Sequence, residues 1–233
     1  MKDLKKYRNN ELAYLKNVLD SKNWSSTVGS WNSKLEYEFC QKFNSKYAVC
    51  FNSGTSTLHA ALLAAGVRPG DEVISPALTV FMDTSATLHA NAIPIYADIN
   101  EATLNVDPHD IEKKITKNTK AIIAVSLYGL PCETKKIKKI AKKHNIPVIE
   151  DNAQCFLGKS DGKIAGSFSD ITSYSFENSK HMSCGEGGII TTNNRKHAEL
   201  CRKIGGHGFK NLKAKEGRIK LDSSAFQNPH YKR

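Results

Sequence analysis

Several features are missing from this sequence of 233 residues. No apolar run is long enough to span a bilayer. The six cysteines (Cys40, Cys50, Cys132, Cys155, Cys184, Cys201) are scattered, with no CxxC pair. That argues against a zinc site and against a disulfide framework, and it fits a reducing cytoplasm. The opening MKDLKKYRNN is charged with no apolar run behind it, so no secretory leader is expected. Internal repeats and low-complexity tracts are also lacking. What is present is material for a core: 39% of the residues are apolar and they are spread along the chain. That argues against wholesale disorder, and the length suits one large domain or two small ones.

Acidic residues are in short supply, 23 against 34 Lys and Arg, for a formal charge of +11. Such an excess invites a nucleic-acid reading, but its distribution argues otherwise. Cys132 to His144 carries six lysines against Glu133, a net of +5. Ile137, Ile140, Ala141 and His144 recur there at helical spacing, so the lysines form the solvated face of an amphipathic helix. Gly206 to Arg233 adds seven Lys and Arg against Glu216 and Asp222, another +5. No aromatics interleave with the helix lysines as a base-stacking platform needs.

Taken in order, residues 8–20 read as a helix with Leu12, Leu15, Val18 and Leu19 on one face. A Ser- and Gly-rich connection spans Trp24 to Trp31, and a second helix spans Leu35 to Phe43. Tyr47–Phe51 reads as a short buried strand, followed by the turn Asn52-Ser53-Gly54-Thr55-Ser56 and a helix over Leu58–Ala65. Further strands are expected at Asp71–Pro76, Ile93–Asp98, Ala121–Leu127 and Ile146–Asp151. Helices are expected at Leu78–Ala90, from Asp107-Pro108 through Ile115, and over 194–204. Continuous apolar strands alternating with helices predict an α/β fold, a mostly parallel sheet flanked by helices. Ligands in such sheets bind at the carboxyl ends of the strands.

Four features share that edge: Gly54-Thr55-Ser56, Pro76 to Phe81, Asp151 and Lys180. Lys180 sits between the alternating strand Ile171–Phe176 and the turn Gly185–Gly188, after which Ile189–Thr192 reads as another strand. An amine held there suits a Schiff base with a cofactor carbonyl; the bland alternative is a surface lysine. Gly54, Thr55 and Ser56 suit an anion at a helix amino end, or simply a helix cap. Asp151 suits a pyridine nitrogen, or caps the next turn. Ser175 is a further phosphate donor, and Gln154 could reach a phenolic oxygen.

These residues lie in SGTSTLHAALLAAGVRPGDEVISPALT (53–79), NAIPIYADI (91–99), TLNVDP (103–108), VIEDNAQ (148–154) and SFENSKHMSCGEGGIITTN (175–193). In that order they resemble the large domain of the DegT/DnrJ/EryC1/StrS family of nucleotide-sugar aminotransferases, fold-type-I pyridoxal-phosphate enzymes. The resemblance covers residue 24 to about 208. It implies that Lys180 bonds pyridoxal 5'-phosphate and shuttles protons, the cofactor passing through its pyridoxamine form. It also implies that Asp151 meets the ring nitrogen, that Gln154 meets the 3-oxygen, and that Gly54, Thr55 and Ser175, with Ser56, hold the phosphate. The usual reaction moves an amino group from glutamate to a keto sugar on a nucleoside diphosphate, for surface polysaccharide, lipopolysaccharide or glycoside biosynthesis. A cytoplasmic homodimer is implied, with no nucleic-acid or membrane partner. Some members are dehydratases with histidine in place of the lysine; Lys180 favours amino transfer, and His181 is then a packing or turn residue. Where the family often has an aromatic against the cofactor ring, this chain has Val80 with Phe81 next: either Phe81 takes over or Val80 packs a weaker apolar face. The expected organisation is an N-terminal helical segment (1–46), a cofactor-binding large domain (47–208) and a basic tail (209–233). That tail is read as a truncated lead-in to an absent small domain. An inactive remnant serving only as a binding partner is the remaining alternative.

Overall fold

A computed structural model describes residues 10–25 and 30–206, and the backbone of 212–215 and 218–221. Residues 8, 9 and 26–29, and the tail side chains such as Phe209 and Phe226, lie outside the described residues. The elements in order are α1 (Glu11–Asp20), α2 (Ser30–Phe43), β1 (Tyr47–Phe51), α3 (Gly54–Ala64), β2 (Glu72–Pro76), α4 (Met82–His89), β3 (Ile93–Ala97), α5 (Pro108–Lys114) and β4 (Thr119–Val125). There follow α6 (Thr134–Lys143), β5 (Val148–Asp151), β6 (Lys159–Ser160), β7 (Lys163–Ile164), β8 (Ile171–Ser175), β9 (Gly188–Thr192), α7 (Arg195–Gly205), β10 (Leu212–Lys215) and β11 (Arg218–Leu221). A 3-10 turn over Leu127–Gly129 lies between β4 and α6.

Seven strands form one sheet in the order β1-β9-β8-β5-β4-β2-β3. β3, β2, β4, β5 and β8 run parallel, and β9 runs antiparallel to both β8 and β1. The register Val125↔Asp151↔Ser173 brings the carboxyl ends of β4, β5 and β8 to one edge. Two features are absent from the sequence reading. β6 and β7 form a two-stranded ribbon, and β10 and β11 pair as a hairpin within the tail.

Strand alternation divides the core into two faces. Ile123, Ile149, Ile171 and Ile190 pack on Leu58 and Leu62 of α3, with Ala86 of α4 and Cys201 of α7. The opposite residues Ile74, Ile122, Ala124 and Val148 pack on Ile111 of α5 and on Ile137 and Ala141 of α6. Phe39 and Phe43 of α2 join that second face, their rings 5.0 and 4.8 Å from Tyr174. The same alternation sends two adjacent acids to opposite sides, Asp151 with Ile149 and Glu150 with Val148. At the β1 edge, Glu36 Oε1 accepts from Cys50 N at 2.9 Å and pairs with Arg202 of α7. That occupies a strand N–H which would otherwise be open at the edge.

Some expectations need correction. α1 presents no buried residue; Leu12, Leu15 and Leu19 are exposed and Val18 is half-buried. His144 caps α6 and is exposed, because the helix ends before its register would bring the ring inward. The lysines of α6 do form a solvated face, and Lys135, Lys136, Lys138 and Lys143 pair with Asp161, Glu133, Asp170 and Glu112. Among the described residues no helix is long and apolar enough to cross a membrane.

Candidate active site

The carboxyl edge of the sheet opens into a cavity of about 260 Å³. Ser53, Gly54, Thr55, Leu58, Val80, Met82, Asp151, Ala153, Ser175, Glu177, Lys180 and Glu186 line it. Each wall follows from local sequence. Ser53 is extended and its hydroxyl accepts from Ser56 N at 3.1 Å, so α3 begins at Gly54 rather than at Leu58. The first N–H groups of a helix have no intrahelical acceptor, and here they belong to Gly54 and Thr55. Thr57 Oγ1 donates to Gly54 O at 2.5 Å and lies 2.6 Å from Ser173 Oγ, which ties the helix start to β8. Two residues further along the same face of β8, Ser175 meets Gly54. A Cβ on Gly54 would stand 2.8 Å from that of Ser175, and one on Gly188 would stand 2.5 Å from Ser53 O. Small residues are therefore required on both sides of the cradle.

The connection from β8 to β9 is a loop over 176–187, longer than the tight turn expected. Phe176 closes its neck, its N–H donating to Gly187 O at 2.8 Å and its carbonyl accepting from Cys184 N at 3.1 Å. Inside the loop, Lys180 N donates to Glu177 O at 3.0 Å, and Ser179 N and Oγ bond the Glu177 carboxylate. Glu177 N in turn donates to Ser175 Oγ at 3.2 Å. Lys180 is thus mounted on a turn anchored to Ser175 of the cradle. His181 is exposed, its ring 5.6 Å from Phe156.

Asp151 ends β5 and is 2% exposed. Burial pushes its carboxyl up to about 6, opposed by the Ala153 N–H at 2.9 Å and by the charge of Lys180. On the far side of the same strand, burial pushes Glu150 up to about 7.

The cavity therefore gathers Gly54, Thr55, Asp151, Ser175 and Lys180. Three other candidates fall elsewhere. Ser56 lines a neighbouring groove of about 620 Å³ and its hydroxyl meets that of Ser53 at 2.9 Å. Gln154 is not among the residues lining this cavity, and its Oε1 accepts from Tyr128 N at 3.0 Å. Phe81 is 68% exposed, because α4 starts at Met82 and its first turn aims Phe81 outward while Val80 faces the cavity. Sequence reasoning missed Asp83, which is fully buried in the first turn of α4. In the sequence it lies inside the expected helix Leu78–Ala90, where nothing marks it.

The donors suit a phosphorylated pyridine aldehyde. Two helix-start N–H groups and a serine hydroxyl surround a cradle that a single Cβ would fill. A buried acid and a primary amine line the same cavity, with apolar Val80 and Leu58 beside them.

A GDP-perosamine synthase of Escherichia coli O157:H7 is 41% identical over 199 residues, which are 85% of this chain and 54% of that protein. The chain spans about half the length of the curated relatives it matches. Its fold superposes on the aminotransferase from Psychrobacter cryohalolentis with a TM-score of 0.83 and 35% identity, covering 88% of this chain and 52% of that one. NtdA from Bacillus subtilis, solved with bound cofactor PMP, gives 0.80 and 33% over 93% of this chain and 50% of that one. The sequence pattern of one family runs through residues 5–226, across every wall of the cavity, and the chain belongs to that family, the DegT/DnrJ/EryC1/StrS aminotransferases.

Proposed function

We propose that this chain carries the cofactor site of a pyridoxal-phosphate-dependent aminotransferase. In this reading an amino group passes from glutamate to a keto sugar of a nucleoside-diphosphate sugar, for surface polysaccharide or glycoside biosynthesis. The observation that carries it is the single cavity shared by Lys180, Asp151, Ser175 and the start of α3. When bound, the cofactor supplies an aldehyde for an amine and a ring that withdraws electrons. The N–H groups of Gly54 and Thr55 and the Ser175 hydroxyl hold its phosphate. Asp151 keeps the ring nitrogen protonated. Val80 gives the ring an apolar wall. Lys180 carries the proton to and from the substrate carbon. A lysine at position 180 supports amino transfer over dehydration, since a histidine there would offer no primary amine.

The relatives named as GDP-perosamine synthases support a nucleotide-sugar substrate. Exposed Phe81 and Met82 beside the cavity wall support a homodimer, and the free thiols support a cytoplasmic setting. Residues 47–208 are read as the cofactor-binding unit, with 1–46 an N-terminal helical segment and 209–233 a basic tail. Adding pyridoxal phosphate to the full chain tests the proposal. A visible absorption band is expected, and glutamate should bleach it by converting the cofactor to its amine form. A colourless protein would leave only a binding or dimerisation role. A band that glutamate leaves unchanged would mean cofactor binding without transfer.

A further inference from the structure

Asp83 lies in the first turn of α4, beyond any role given so far. It is 0% exposed, yet it sits beside the cavity mouth, where Met82 is 48% exposed. Thr79 Oγ1 donates to its Oδ2 at 2.5 Å. Its other oxygen, Oδ1, is buried with no hydrogen-bond partner among the described residues. The Thr79–Asp83 bond closes a loop whose inner residues Val80 and Met82 form a cavity wall. Asp83 is also within electrostatic reach of Asp151. Asp151 lines the cavity, and Asp83 is buried in the first turn of the helix that carries its Met82 wall.

We infer that Asp83 is a positioning residue of this site: as a neutral acid it latches the Val80 wall to α4 and leaves Asp151 the ionised member of the pair. The inference rests on the cofactor reading above. Two like charges in a dry pocket do not both persist, so the pair holds a proton. The surroundings decide which member takes it. Asp151 has a backbone N–H from Ala153 and the charge of Lys180 to favour its anion. Asp83 has one threonine hydroxyl and an orphan oxygen. An orphan carboxylate oxygen costs more than an orphan hydroxyl. The amino end of α4 favours a negative charge on Asp83, but complete burial and the Asp151 charge act the other way and hold its carboxyl well above the usual range. Other charged or titratable groups on the elements around it are Lys180, Glu177 and Glu186 of the loop, His59 of α3, His89 of α4 and Tyr96 of β3, and no ion pair to Asp83 is formed among the described residues. A protonated Asp83 is thus what allows Asp151 to stay ionised and hold a protonated ring nitrogen.

Carbon-13 NMR of carboxyl-labelled aspartate, in the cofactor-free full chain, reads both groups directly. Two aspartates should hold their protons above the ordinary value of about 3.9, and the higher-titrating signal should be missing in D83N. In D83N the Asp151 midpoint should move by less than about 0.3 units, because one neutral group replaces another. In D151N the Asp83 midpoint should fall. An ordinary midpoint for Asp83, or an Asp151 midpoint that drops by about a unit or more in D83N, would overturn the assignment. The latch is read by hydrogen exchange over residues 77–90, which should quicken in D83A and be restored in D83N; equal exchange in both would remove it. With pyridoxal phosphate, affinity should fall about tenfold in D83A and about twofold or less in D83N. If wild type takes up no cofactor, the proposed function fails while the NMR titration still decides the charge on Asp83.

Discussion

Replacing Glu150 with glutamine should change how stability depends on pH. Glu150 is 1% exposed and faces away from the cavity, with Ser126 Oγ donating to its Oε1 at 3.2 Å. Burial raises its carboxyl from 4.5 in the unfolded chain to about 7. The folded state therefore binds the proton more tightly than the unfolded state. Its contribution is fully present below pH 4.5, falls as the pH rises through 7, and is flat above. Each unit is worth about 1.4 kcal/mol, so the whole span amounts to about 3 kcal/mol at most. Glutamine cannot ionise, and its amide oxygen can still accept from Ser126. Asp151 slopes in the same direction in both proteins, so the comparison must be a difference. Urea unfolding of wild type and E150Q at pH 5 and pH 8, followed by circular dichroism, supplies it. The advantage of E150Q should grow by about 1–3 kcal/mol between the two pH values. Parallel profiles would mean that Glu150 is solvated or paired in the fold, and the argument from burial would fail.

Other consequences concern the cradle and the wall. Gly54→Ala puts a Cβ 2.8 Å from that of Ser175, so urea titration should show a loss of about 1–3 kcal/mol, and cofactor titration a weaker site. Val80→Ala should lower pyridoxal-phosphate affinity severalfold, while Phe81→Ala should leave it unchanged, since only Val80 faces the cavity; fluorescence titration of both variants separates the two.

Much of this could be read from the chain. Continuous apolar runs marked β4 and β5 because both of their faces are covered, and the helical period of Ile137, Ile140 and Ala141 marked the buried side of α6. The alternation in Ile171–Phe176 carried more than a strand assignment, since it sends Ser173 and Ser175 to the α3 face and Tyr174 to the aromatic cluster of α2. Tertiary facts were harder to read. The antiparallel pairing of β1 with β9 depends on a register between segments far apart in sequence. The β6–β7 ribbon has two residues per strand and no period to detect. Whether Val80 or Phe81 meets the cavity depends on where α4 begins, a matter of one residue. Asp83 reads as an ordinary polar helix position until the fold buries it. Nothing in the sequence shows that the Tyr128 N–H, on a residue with φ of 51°, meets the Gln154 side chain.

The central claim is that Lys180 is the amine this site was built around. Borohydride reduction of the full chain with pyridoxal phosphate, followed by peptide mass mapping, measures it directly. The account predicts one labelled peptide, carrying the cofactor on Lys180, and no label there in Lys180→Ala. Label spread over the exposed lysines of α6, or an unmodified Lys180, would contradict it.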